Sequence, residues 1–82
     1  MRGEMATIIL VFDVQVALPS GTTFLIKDCR EDLTIRMLKK KIAKVTQIWH
    51  GHQHLLLGTT LLEDDQLLLE AGVDGKTILT VY

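Results

Sequence analysis

Eighty-two residues, 48% hydrophobic and 23% charged, set the scale of one small domain, with room for a core but none for a second, catalytic domain. That balance is of a chain that folds, neither collagen-like nor disordered. A net charge of -1 excludes a global bias toward nucleic acid or an anionic membrane, so charge can act only through its distribution.

The distribution is uneven. Arg36, Lys39, Lys40, Lys41 and Lys44 fall together without an acid among them, whereas Glu63, Asp64, Asp65, Glu70 and Asp74 dominate the later part. The single cysteine, Cys29, excludes an internal disulfide and suits a reducing compartment, so the expected location is cytoplasmic, nuclear or both. Its ordinary role is that of a small core hydrophobe.

The apolar run at 6 to 12 follows Arg2, but Glu4 precedes it, Asp13 ends it and no small-residue cleavage site follows, which argues against a signal peptide. It is also far shorter than the ~20 apolar residues of a membrane-spanning helix, so no membrane anchor is expected. From Phe12 the pattern alternates, with Phe12, Val14, Val16 and Leu18 apolar around Asp13 and Gln15, as in a strand with one buried face. If that strand reaches back to Ile8, then Ile8 and Leu10 join the core face and Ile9 and Val11 face outward. The result is an apolar edge at 8–11 suited to weak self-association or docking.

ProSerGly at 19 to 21 signals a turn, and residues 22 to 27 resume β-rich composition, completing a hairpin. Alternation places Phe24 and Ile26 inward and then calls for a buried Asp28; a bulge that substitutes Cys29 resolves the conflict. Thr34 offers a hydroxyl cap to a helix whose Ile35, Leu38, Ile42 and Val45 share one face. The lysines lie opposite, as a solvated face or a second, basic interaction face; without stacking aromatics a nucleic-acid role is disfavoured.

His50, His52 and His54 follow at two-residue spacing. On an extended strand they would share a face and could present three imidazoles to zinc, but Gly51 and a loop approach blur that geometry, and the segment has no cysteine or carboxylate. They are a weak metal candidate, and no cofactor is expected. Residues 53 to 58 read as a short strand, 61 to 67 as a second short strand and turn, Leu67 to Glu70 as a helical turn stopped by Gly72, and 76 to 82 as a last strand led by Ile78, with Leu79 and Val81 on one face. The main order is ββαββ. No nucleophile with a base, paired carboxylates or phosphate loop is present, so an enzyme is not expected.

One helix between two hairpin-like units is the order of the β-grasp, and the residues resemble the ubiquitin family. LeuLeuGluAspAsp at 61 to 65 is similar to the family's Gln-Leu-Glu-Asp-Gly, with Leu68 and Val73 at the family's core spacings, and residues 33 to 42 are similar to its Thr-Ile-Glu-Asn-Val-Lys-Ala-Lys-Ile helix. The likeness is ungapped from Leu33 to Tyr82; upstream it runs through Gly21, with one extra residue in the second strand. The resemblance implies an α+β ubiquitin-like β-grasp at 12–82, with a mixed sheet packed on one amphipathic helix, and residues 1–11 as an N-terminal extension.

It also implies how such a chain acts. A conjugated modifier needs a flexible tail ending in Gly-Gly, whereas this sequence stops at Tyr82; the first expectation is therefore a non-catalytic interaction domain of a larger protein, the second a modifier lacking its tail, the third a basic-helix nucleic-acid binder. The family's apolar recognition patch maps onto Leu18 or Pro19, Leu56 and Tyr82. Strand parity gives the same answer for Leu56, since Leu55 and Leu57 facing the core turn it outward. His54 matches the arginine beside the patch, exchanging a permanent, forked charge for an imidazole. Thr80 matches the patch histidine. Thr60 and Gly75 stand where two chain-linkage lysines would be, and only Lys39 and Lys41 fall on family lysines. Partners of the ubiquitin-receptor or proteasomal kind are the expectation.

Overall fold

The computed structural model describes residues 8–82. Strand β1 (Val11–Ala17) turns into β2 (Thr23–Arg30) as an antiparallel hairpin. Leu18 donates its amide to the Thr22 carbonyl at 2.8 Å, and Gly21 takes φ 94°, a left-handed conformation that costs glycine little because it has no Cβ.

The pairing runs Val14 with Ile26 and then Phe12 with Cys29, so Lys27 and Asp28 together oppose Asp13. Asp28 bulges out at φ 58°, with its amide donated to Asp13 Oδ1 at 3.1 Å. The extra residue resets strand parity, leaving Asp28 in water and Cys29 in the core, where burial pushes its thiol up from the ordinary range.

Helix α1 (Ile35–Thr46) starts where Thr34 Oγ1 accepts the Met37 amide at 3.2 Å. Two more of its first amides are taken by the segment at 64–66: Ile35 donates to the Gln66 carbonyl and Arg36 to that of Asp64, so the unpaired donors of the helix end are satisfied by another part of the chain. Ile35, Leu38 and Ile42 are buried; Val45, expected beside them, is exposed, because it sits a turn beyond Ile42, where the helix has run past its buried contact. Lys39 corrects the expectation of an open lysine face. It is only 8% exposed, and its ammonium is bonded to Asp64 Oδ1 at 2.6 Å.

After α1, Gln47 takes φ 66° and the chain passes through a 3-10 turn at His50–His52 into β3 (Leu55–Leu57). Buried Gln53 ties this crossing down by donating Nε2 to the carbonyls of Lys39 (2.9 Å) and Ile48 (3.0 Å). The short strand and helical turn expected at 61 to 70 fall at β4 (Thr60–Leu61) and α2 (Leu68–Ala71). Gly72 closes α2 at φ 82°, and β5 (Ile78–Val81) follows.

The sheet order is β2-β1-β5-β3-β4, with β1 and β5 parallel and every other pair antiparallel. Val14, Val16, Ile26, Leu55, Leu79 and Val81 on its inner face meet Ile35, Leu38 and Ile42 of α1, with Leu62, Leu68 and Val73 closing the end. This is the mixed sheet on one helix that the alternation and the helical spacing predict, an α+β β-grasp. No helix among the described residues is long and apolar enough to cross a membrane.

The N-terminal expectation needs correction. β1 begins at Val11, and Ile8 (78%) and Leu10 (58%), expected on the core face, are exposed, while Ile9 is half-buried. Parity alone buries nothing, and no element of the described fold covers that end of the strand. Residues 1–7 of the extension lie outside the described residues.

Candidate functional site

With α1 on one face of the sheet, the other is left uncovered among the described residues. Its side chains follow from the register. Across the middle, Thr23, Ala17, Thr80, Leu56 and Leu61 stand in one row; on one side of it come Leu25, Gln15 and Ile78. On the other, His54 and Tyr82 exchange both backbone hydrogen bonds, at 2.9 and 3.0 Å. Directly paired residues carry Cβ atoms about 5 Å apart, so these residues form a continuous surface. Leu25, Leu61, Ile78 and Tyr82 are exposed, and Leu56 and Ala17 half-exposed, between the polar Gln15, Thr80 and His54. Large apolar side chains collected on one face, rather than scattered, are the unusual feature.

His54 and Tyr82 also stack, with ring centroids 5.1 Å apart and planes inclined by 27°. The stack holds the Tyr82 ring beside His54 at the start of β3, so its amphipathic ring is presented in a defined place on the outer face.

The residues anticipated for the patch divide. His54, Leu56, Thr80 and Tyr82 come together on the outer face, and Pro19 is exposed in the β1–β2 turn. Leu18 does not belong to the exposed set: it continues the inward parity of Val14 and Val16 and packs, half-buried, on the core. Sequence reading passed over Ile78, Leu61 and Leu25. The signal for Ile78 was available, since Leu79 and Val81 facing inward already turn it out.

The histidines part company. His50 and His52 lie in the 3-10 turn, whereas His54 leads into β3, so the shared strand face that a zinc site required does not form. Trp49 lies against both imidazoles, at centroid distances of 5.3 and 4.9 Å. The ring, 59% exposed, rests on the turn: a Cβ on Gly51 would stand 2.4 Å from it. Among the described residues, no group of three or more histidine, cysteine or acidic side chains is placed to hold a metal.

The anticipated basic face is dispersed as well. Arg36 reaches Asp65 at 3.1 Å and Asp64 at 4.0 Å, Lys39 is bound to Asp64, and Lys41 donates to the Lys27 carbonyl at 3.4 Å. Among the described residues, Lys40 and Lys44 are the members of the set that are exposed and have no partner. Asp64, accepting from Lys39 and facing Arg36, is held below the usual carboxylate range.

The sequence profile of the ubiquitin family matches residues 14–82, a span that takes in β1 from Val14, the other four strands, both helices and the outer-face residues described above. The chain belongs to the ubiquitin family. No curated protein matches it. Domains of the ubiquitin family are in general non-enzymatic and bind proteins.

Proposed function

We propose that this ubiquitin-family chain is a non-catalytic interaction domain that acts as part of a larger protein in the cytoplasm or nucleus, and that it binds ubiquitin-receptor modules or proteasomal receptors through the outer face of its sheet. The observation that carries this reading is the alignment of Leu56, Leu61, Ile78 and Tyr82 on a face that no described element covers, with polar Thr80, Gln15 and His54 between and beside them. Apolar anchors ringed by polar groups give a partner both area to bury and a rim to register on.

The discriminating experiment is chemical-shift mapping of the labelled chain against a panel of ubiquitin-binding modules and proteasomal receptors. Shifts centred on Leu56, Ile78 and Tyr82, lost in Leu56→Arg while the rest of the spectrum is kept, are expected. Shifts confined to Lys40 and Lys44 on α1, or no shift with any member of the panel, would sink the reading.

A further inference from the structure

We propose that the N-terminal end of β1, Ile8–Val11, is the docking edge for a second copy of the same chain. The proposal concerns the end of the sheet remote from Tyr82, and does not rest on the outer-face reading.

Three observations converge there. Ile8, Leu10 and Val11 are 78%, 58% and 57% exposed, in a run, Ile8–Phe12, that holds no charge, glycine or proline. Exposed strand edges ordinarily carry such residues as guards against pairing; this one has none. The backbone beside them is half used: β1 pairs with β2 from Val11, and the Leu10 carbonyl accepts the Glu31 amide at 3.0 Å, but pairing with β5 begins only at Gln15. Ahead of Gln15, the β5 side of β1 therefore has no strand partner among the described residues.

The third observation is a groove of about 630 Å³ beside this edge, walled by Leu10 and Phe12 on one side and by Leu69 and Val73 on the other. Leu69 is 62% exposed, too open for an apolar side chain that closes a core. At the rim stand Glu31, Asp74 and Lys76. A rim of both signs suits a copy of itself, since a two-fold contact can set Lys76 of each chain against Glu31 or Asp74 of the other.

The occupant is the edge itself. An uncharged strand end in which Ile8, Ile9 and Val11 are β-branched has the composition that an open ladder and an apolar groove accept, and two such ends laid antiparallel satisfy both free edges in one closed, isologous contact. Four residues a side make a small contact. The association is therefore of a weak class, well short of the roughly 800 Å² per partner of a standard stable interface.

The test is a sedimentation-velocity series on the full 82-residue chain, from tens of micromolar to about a millimolar, where contacts of this class populate. The mean mass should climb from 9.2 kDa toward twice that value. Leu10→Lys and Val11→Lys, both at exposed positions that leave the core intact, should remain monomeric throughout, as should Leu69→Lys on the facing wall. Leu61→Lys on the outer face should associate like the native chain. Amide exchange at Ile9 and Val11, whose backbone groups alternate with those of Leu10 and so face the free side, should slow as concentration rises. A native chain that stays monomeric across the range overturns the proposal, and so does association that survives Leu10→Lys and Val11→Lys or disappears in Leu61→Lys.

Discussion

Replacing Asp64 with alanine removes the one acid bonded to Lys39 among the described residues, and the structure says how much that should cost. Lys39 Nζ lies 2.6 Å from Asp64 Oδ1, with 10% of the lysine side chain and 44% of the aspartate side chain in solvent. A fully buried pair broken on one side would cost about 3–5 kcal/mol, an exposed one at most about 1. With one partner enclosed and the other wet, Asp64→Ala should cost about 1–2 kcal/mol, a fall in melting temperature of roughly 4–8 °C per kcal/mol for a domain of this size. Lys39→Met, which keeps the buried stem and removes the charge, should lie within about 1 kcal/mol of the native chain, and adding Asp64→Ala to it should then change little. The effect must also follow pH. Asp64 is held below its ordinary range, chiefly by the hydrogen bond from Lys39, so its contribution is complete above the unfolded value and is lost as pH falls through the folded one. The native chain's advantage over Asp64→Ala should therefore be full at neutral pH and shrink below about pH 4. Thermal unfolding of the four chains at pH 7 and at pH 3 measures this. Equal stability of native and Asp64→Ala at pH 7, or an undiminished gap at pH 3, would refute the reasoning.

Cys29 is fully buried with its thiol pushed up by desolvation, so a thiol-specific colorimetric reagent at neutral pH should modify it only at the rate of unfolding. Modification in the first seconds under native conditions would contradict that placement. Gly51→Ala puts a methyl into the Trp49 ring, which must swing out; because the chain has one tryptophan, its emission should shift to the red while the melting temperature moves by only a few degrees. An unchanged emission maximum would show that the ring does not rest on the turn.

Much of the fold could be read in advance because its cues are local. Alternation at Phe12–Val16 and Leu79–Val81, and the three-and-four spacing of Ile35, Leu38 and Ile42, each report which side of one element is dry. Even the bulge was legible, since an unbulged β2 would have buried Asp28 without a partner. What escaped depends on distant parts of the chain. Lys39 resembles its neighbouring lysines until Asp64, far along the sequence, arrives beside it. His50 and His52 look extended until a turn forms at Gly51 with the Trp49 ring resting on it. Leu61 and Leu62 are adjacent leucines, and only the pairing of Leu61 with Leu56 says which faces out. Leu10 has the parity of a core residue but nothing above it, and parity cannot report where the covering elements end.

The parallel ladder between Gln15–Ala17 and Ile78–Thr80 joins opposite ends of the chain at the middle of the sheet, and β3 reaches the sheet only through β5. A ribosome must therefore have released nearly the whole domain before Leu56 and Thr80 can stand beside Ala17. Contacts between such distant segments form slowly. A chain cut short before β5 could make its hairpin and its helix, yet it would not display the assembled outer face, so that surface reports that the domain has been made through β5.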